Sequence, residues 1–375
     1  MIGQRGVPAT FGGIERHVEE LGARLVDRGH EVTVFCRSNY DEQGRPSTHR
    51  GMRLHWLPTV GTKHLDAVVH SAMSAMTAMG DRPDIVHFHA IGPGLVAPLP
   101  RLLSSAKVVL TVHGLDNERA KWGRGARALL SAAAWMSARV PDATIVVSEA
   151  LRDHYAERYD RITELIANGV DARPALPPVE IASRFGLRSG SYVLFVGRLV
   201  PEKAPHLLIR AFATVDTDIR LVIVGGSSFS DAYVAELAEL ARHDHRVLMP
   251  GYVYGDALRE LYSNAAAFVL PSALEGLPLT LLEAASYGVP LVASAIAPHV
   301  EVLRADGPGR RLFEPGDMRG LAGALTRVLA QHDQETAGAA AVRRDVLGRY
   351  DWDVAAERTE QLYLDLVGVR AAVPV

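Results

Sequence analysis

Two glutamates, Glu275 and Glu283, stand eight residues apart in the stretch that runs from Pro271-Ser272-Ala273-Leu274 through Gly276-Leu277-Pro278 to Ala284-Ala285. The apolar run Ala266-Ala267-Phe268-Val269-Leu270 before it predicts a short buried strand. Pro278 suits the first turn of a helix, which Gly288 and Pro290 stop. A strand thus ends in a turn carrying Glu275 and Gly276, and a helix aims its N-terminus back at that turn. Such a terminus offers unpaired N–H groups and partial positive charge to an anion, and Gly276 lets the backbone come close. Upstream, Gly197-Arg198-Leu199-Val200-Pro201-Glu202-Lys203-Ala204 follows another apolar run, Tyr192 to Val196. Arg198 supplies a planar, bidentate donor and Lys203 a mobile point charge, a pair suited to a diphosphate. Phosphate in the middle and hydroxyl-bearing rings at both ends describe a nucleotide sugar. Taken alone, the glutamates also fit a solvated helix face, and the basic loop a solvated surface.

The flanking residues separate these readings. Ser272-x-x-Glu275-Gly276-x-Pro278…Glu283-Ala284, together with Gly197-Arg198-Leu199-x-x-Glu202-Lys203, resembles the signature of retaining glycosyltransferases of family 4, which have the two-domain GT-B fold. Gly3 to Gly13, ending in Gly12-Gly13-Ile14-Glu15, resembles the donor-side glycine loop of that family. The resemblance implies that Gly12 and Gly13 approach the donor and that His113, in His113-Gly114-Leu115-Asp116, faces the donor sugar. The segment through Arg119-x-Lys121-Trp122 is similar to polysaccharide-assembling members, some of them rhamnosyltransferases. Glu275, His113, Arg198 and Lys203 are then expected to be catalytic. Donor contacts are expected from Gly197, Gly225, Tyr252, Val253, Gly276, Leu277 and Glu283. In this scheme Glu283 takes the ribose hydroxyls and the Gly251-Tyr252-Val253 loop holds the base through backbone groups. Arg198 and Lys203 neutralise the leaving diphosphate, so no metal or other cofactor is expected. Expected partners are an NDP-sugar and a glycan, lipid-linked or small-molecule acceptor. Two other readings fit the same residues: a nucleotide-sugar 2-epimerase-like GT-B enzyme, needing no acceptor, and a non-catalytic sugar-nucleotide-binding subunit.

These groups need a scaffold that collects loop ends, and the chain alternates accordingly. Expected strands are Glu31–Cys36, Met52–Trp56, Asp84–Phe88, Lys107–Val112 and Thr144–Val147, with helices from Ile14 to Gly29, His64 to Met79, Leu95 to Leu103 and Arg124 to Val140. Met1-Ile2 leaves only a two-residue first strand where about five residues are usual, so either the native protein starts earlier or this strand is short and frayed. Asn168-Gly169-Val170-Asp171 and Pro174, Pro177 and Pro178 mark a stiff link. A second alternating series follows, through Ile219–Val224, Val247–Met249 and Leu291–Ala293, to helices near 317–331, 336–348 and 353–367. Strands alternating with helices imply parallel, doubly wound sheets, with ligands beyond the carboxyl ends of the strands. The expected fold is α/β: GT-B, two Rossmann-like domains facing across a cleft. Residues 1–172 form the acceptor domain, 173–352 the nucleotide-sugar domain, and the helix 353–368 crosses back to the first.

Composition sets the outer bounds. At 375 residues two domains are natural, and 48% apolar with 22% charged residues is ordinary for a globular protein. A net charge of −3 argues against a bulk nucleic-acid binder. The single cysteine, Cys36, excludes an internal disulfide and fits a reducing compartment. No apolar run reaches about 18 residues and the first residues lack a signal-peptide core, so the cytoplasm is expected. Residues 119–139 combine Arg119, Lys121, Arg124, Arg127 and Arg139 with Trp122, Leu129, Leu130, Trp135 and Met136. Two readings stay open: an outer helix packed on the sheet, or a basic helix in peripheral contact with the inner membrane surface. Asp216-Thr217-Asp218 and Asp351-Trp352-Asp353 precede elements, as caps do, rather than following a strand as metal ligands would. Gly92-Pro93-Gly94 loses a phosphate-binding N–H at its proline. His87-x-His89 has no third ligand at a plausible sequence spacing, so it is read as strand-end packing.

Overall fold

The computed structural model describes residues 1–9, 12–40, 44–59, 66–115, 124–227 and 230–369. It forms two compact units, Met1–Gly169 with Trp352–Val375, and Val170–Asp351.

In the first unit, β1 (Thr33–Arg37) pairs in parallel with β3 (Met52–Leu57), and β2 (Thr48–His49) adds an antiparallel edge. A second ladder runs β4 (Ile85–His89), β5 (Lys107–Val112), β6 (Ala143–Val146) and β7 (Glu164–Leu165), all parallel. Met1 and Ile2 lie between the two. Ile2 N donates to His87 O at 2.9 Å and His89 N to Ile2 O at 2.8 Å, while Phe35 N donates to Met1 O at 3.1 Å. The first strand is therefore short but not frayed, because both neighbours pin it and Ile2 is 1% exposed. The helices are α1 (Gly13–Asp27), α2 (Asp66–Gly80), α3 (Pro98–Leu103), α4 (Arg124–Arg139) and α5 (Glu149–Tyr159). The helix expected over Leu95–Leu103 is split: Gly92–Val96 is a 3-10 turn and α3 begins at Pro98. Proline has no N–H to continue a helix from the preceding turn, but suits a first position.

In the second unit the strands are β8 (Tyr192–Val196), β9 (Arg220–Val224), β10 (Val247–Gly251), β11 (Ala267–Leu270), β12 (Leu291–Ser294) and β13 (Arg310–Phe313). Their order is β10-β9-β8-β11-β12-β13, parallel throughout. The chain steps outward from β8 on one side, then returns to β8 and steps outward on the other. That reversal makes the β8/β11 junction the topological switch point, where such sheets bind ligands. Every residue of β8, β11 and β12 is buried, as a parallel sheet covered on both faces requires. Of the helices, α6 (Glu180–Phe185), α9 (Gly255–Asn264), α10 (Leu279–Tyr287) and α13 (His332–Arg349) pack as one group. A second group joins α7 (Pro205–Phe212), α8 (Asp231–Arg242) and α12 (Met318–Ala330), with α11 (Ala297–Leu303) following β12. The last helix, α14 (Trp352–Val367), belongs to the first unit and packs on α1. Arg24 Nε meets Asp353 at 2.7 Å, Arg28 meets Glu360 at 2.9 Å, and buried Tyr363 shares its hydroxyl with His87 Nδ1. Asp353 thus serves an ion pair beside the helix start.

One buried charge ties the β13 edge to α13. Glu335, fully buried, accepts from Gly309 N at 2.7 Å and from Arg311 Nε at 2.9 Å. Removing one partner of a buried pair leaves the other's charge unsolvated. Glu335→Ala should lower the unfolding free energy by about 3–5 kcal/mol, read from urea melts followed by far-ultraviolet circular dichroism. A change under about 0.5 kcal/mol, ordinary for surface sites, would contradict this role.

Candidate active site

In the second unit the expected donor residues gather at the carboxyl ends of parallel strands. Gly197 and Arg198 follow β8, Gly225 follows β9, Tyr252 and Val253 follow β10, and Glu275, Gly276 and Leu277 follow β11. Backbone bonds lace the ends together. Gly197 N donates to Val224 O at 3.0 Å, Leu199 N to Gly226 O at 2.9 Å, and Gly225 N to Gly251 O at 2.9 Å. Gly225 has φ +135°, and a Cβ there would lie 1.9 Å from Gly197 O, so only glycine fits. The Tyr252 ring packs on Gly226, its hydroxyl donates to Ser227 O at 2.9 Å, and it stacks on Tyr254.

The loops after β8 and β11 meet across the switch point. Lys203, in the 3-10 turn Pro201–Lys203, places Nζ 2.5 Å from Glu275 Oε1. Ser272 Oγ donates to the same oxygen at 2.7 Å, and Ala273 N donates to Glu202 O at 2.8 Å. The Glu275 side chain is 7% exposed and that of Lys203 14%. Burial alone would raise the Glu275 pKa, but the Lys203 charge and the hydrogen bonds from Lys203 and Ser272 hold it below the usual range. Glu275 is therefore an ionised carboxylate in a nearly dry place. Glu283, on α10, is held separately: Tyr262 donates its hydroxyl to Oε2 at 3.1 Å. α10 begins just after Pro278, at the end of the loop that carries Glu275, with no side-chain cap at that residue.

His299 on α11 also belongs to this cluster. It is fully buried, with Nδ1 2.9 Å from Ser294 O, and Nε2 has no hydrogen-bond partner among the described residues. Burial pushes its pKa down to about 4, while the nearby Glu275 charge works the other way. Sequence reasoning missed it, although the strand-end rule that selected Glu275 applies equally to the loop after β12.

The other expected site residues lie in the first unit. Gly12 caps α1 and Gly13 begins it, both exposed, while Thr10 and Phe11 fall outside the described residues. Two acids of α1 fasten the preceding loop: Glu15 accepts from Arg5 N at 2.9 Å and Glu19 from Ala9 N at 3.1 Å. His113 follows β5, whereas Asp116, Arg119, Lys121 and Trp122 fall outside the described residues. His113 Nε2 is 3.4 Å from His89 Nδ1, and the His17 ring centroid lies 4.6 Å from that of His113. This corrects the reading of His87-x-His89: His89 does have imidazole neighbours, brought from α1 and β5, where sequence spacing could not show them. His87 is different, being engaged by Tyr363 and by Thr111 Oγ1 at 2.7 Å. His17 was also missed, though position 17 completes the stripe of Ile14, Val18 and Leu21 on the apolar face of α1.

Burial keeps all these imidazoles neutral. It lowers His17 and His70 to about 4 and holds His87, His89 and His113 well below the ordinary value. An unfolded histidine titrates near 6.5, so between about pH 6.5 and 4 the unfolded chain binds more protons than the folded one. Stability therefore rises with pH across that window and falls as pH drops through it. Each such histidine contributes a slope of up to about 1.4 kcal/mol per pH unit. All four tryptophans, Trp56, Trp122, Trp135 and Trp352, lie in the first unit's sequence, so tryptophan fluorescence follows the unit richest in these groups. The fluorescence-detected Tm should fall between pH 7 and pH 5; a Tm that is flat or rising on acidification would exclude neutral burial.

Two family models match the chain in succession. That described as Glycosyltransferase Family 4 covers residues 11–173, and that of Glycosyl transferases group 1 covers residues 184–344. A glycogen synthase of Mycobacterium tuberculosis is 29% identical, covering 97% of this chain and 94% of its own. A GDP-mannose-dependent alpha-(1-6)-phosphatidylinositol monomannoside mannosyltransferase of Mycolicibacterium smegmatis is 28% identical, covering 95% of each. Among solved structures, a sucrose-phosphate synthase from Thermosynechococcus elongatus superimposes with a TM-score of 0.80 at 23% identity, over 96% of each chain. With matched models over both halves, relatives along nearly its whole length and this shared fold, the chain belongs to the family 4 glycosyltransferases of the GT-B class.

Proposed function

We propose that the enzyme transfers a sugar from a nucleoside diphosphate sugar to an acceptor hydroxyl, with retention at the anomeric carbon and without a metal ion. The observation that carries this reading is the buried Lys203–Glu275 pair at the switch point, beside the first turn of α10. A lysine ammonium has three N–H donors. One serves Glu275, and the others are suited to the donor diphosphate, with Arg198 as its bidentate companion. Glu275 Oε1 takes the bonds from Lys203 and Ser272, which leaves Oε2 for a hydroxyl of the donor sugar. Glu283 is assigned to the ribose hydroxyls. Gly197, Gly225, Gly276, Leu277 and the Tyr252-Val253 loop line the remainder of the donor site, and Gly12, Gly13 and His113 are assigned to the donor from the first unit. Residues 173–352 are thus read as the donor domain and 1–172 as the acceptor domain.

In the transfer step the bond from the anomeric carbon to the diphosphate oxygen breaks, and a bond to the acceptor oxygen forms on the same face. The acceptor's proton passes to the departing phosphate. Lys203 and Arg198 stabilise the charge that develops there, and the carboxylate of Glu275 steadies the oxocarbenium-like centre. One relative's name specifies GDP-mannose, which supports a donor of this class without fixing the base. A lipid-linked acceptor is the preferred reading. On α4, Trp135 is 55% exposed and Leu129 44% exposed, with Arg139 one turn beyond Trp135. No helix among the described residues is long and apolar enough to cross a membrane; the contact we propose is a peripheral one, at the inner membrane surface.

Glu275→Ala and Lys203→Ala should each lower transfer by about 10²–10³-fold, the range for removing one charge-stabilising group, with the far-ultraviolet spectrum unchanged. Wild-type rates in either variant would refute the site, and a product of inverted anomeric configuration by NMR would refute retention. Trp135→Ala should weaken sedimentation with phosphatidylserine vesicles at least twofold; equal recovery would refute the peripheral contact.

A further inference from the structure

His17, His89 and His113 come from α1, β4 and the end of β5, and one ring nitrogen from each lies within 4.8 Å of the others. Two of these nitrogens, His89 Nδ1 and His113 Nε2, are already 3.4 Å apart. Ligand nitrogens around a tetrahedral ion with bonds of about 2.0–2.1 Å stand roughly 3.3–3.4 Å apart. His17 is fixed by a second observation. Its Nδ1 lies 2.6 Å from Asn168 Oδ1, an acceptor, so Nδ1 carries the hydrogen and Nε2 carries the lone pair. That Nε2 is buried and has no hydrogen-bond partner among the described residues. A buried imidazole lone pair left without a donor is costly unless something accepts it into a bond. An amide oxygen orienting the remote nitrogen of a ligating histidine is the usual support behind a metal site.

We infer that His17, His89 and His113 form a three-imidazole site for a divalent transition ion of the zinc type, with a fourth position open, and that the bound ion inhibits sugar transfer. Neutral imidazoles favour zinc, nickel and copper over magnesium or calcium, which require oxygen donors. His87 is excluded as a ligand because Tyr363 and Thr111 engage its two nitrogens. The inhibitory half rests on the function proposed above, since an ion held by His113 removes that side chain from the donor sugar. The binding half does not depend on it.

The test uses the full chain, stripped with chelator and then titrated with zinc(II) or cobalt(II). One ion per chain and the visible bands of tetrahedral cobalt are expected. His17→Ala and His89→Ala should weaken binding at least about 100-fold, and Asn168→Ala, which acts only through His17, about 10–100-fold. Wild-type protein that binds no ion, or variants that bind as tightly as wild type, would overturn the site. X-ray absorption on zinc-loaded wild type needs no variant to fold: three imidazoles at about 2.0–2.1 Å support the assignment, and fewer than three overturn it. Zinc should suppress donor turnover reversibly with chelator, and Asn168→Ala should raise the half-inhibiting concentration by the same factor as its loss of affinity. Zinc bound at this site with turnover unchanged would overturn the inhibitory half alone. An enzyme inactive with and without zinc would instead count against the proposed transfer.

Discussion

The second unit depends on one constraint: a carboxylate that stays ionised although its side chain is nearly out of water. A lone buried carboxylate would take up a proton, because desolvation penalises its charge. Glu275 escapes this because Lys203 and Ser272 both donate to one of its oxygens. The two loops that supply these groups are 72 residues apart in sequence and meet only because β8 and β11 are neighbours. The strand order is thus part of the electrostatics. Any other order would separate the cation from the acid and leave each to be solvated or neutralised alone.

Steric closeness supports the same junction. The ends of β8, β9 and β10 approach until Gly197 O occupies the place a Cβ of Gly225 would need. Backbone amides and carbonyls from adjacent strand ends are laced together there. Tyr252 closes the row by lying over Gly226, which turns a residue chosen for its backbone into a packing element as well.

Much of this was legible in the chain itself, and for stated reasons. Apolar runs bounded by turn residues located the central strands, while the residues just beyond β8 and β11 stood out through their resemblance to a family signature, since their charges alone also fit a solvated face. Short elements were harder: β2, β7, β13, α6 and α11 lack enough residues for a periodic signal, and α13 starts at His332 rather than near 336 because its first turn is polar. His299 and His17 were missed for a different reason. Each is a buried polar residue whose partners, Ser294 and Asn168, become visible only when the chain is folded. Spacing reports neighbours along one element, whereas His17, His89 and His113 meet from three.

Both units bury charged pairs, Arg37–Asp66 in the first and Lys203–Glu275 in the second, and both bury neutral imidazoles, but only in the first do three imidazoles gather among the described residues. The second unit keeps full charges and pairs them, so a polyanion entering beside Lys203 meets a cation whose desolvation is already compensated by Glu275. The first unit keeps its imidazoles neutral by burial, and ring nitrogens on His17 and His89 have no hydrogen-bond partner among the described residues. Neutral lone pairs attract little anionic charge, but they accept hydrogen bonds from hydroxyl groups and bonds from soft cations. The same neutrality that lets an imidazole accept a hydrogen bond from a hydroxyl leaves it open to a transition ion, so the role proposed for His113 and the proposed ion would compete for one ring.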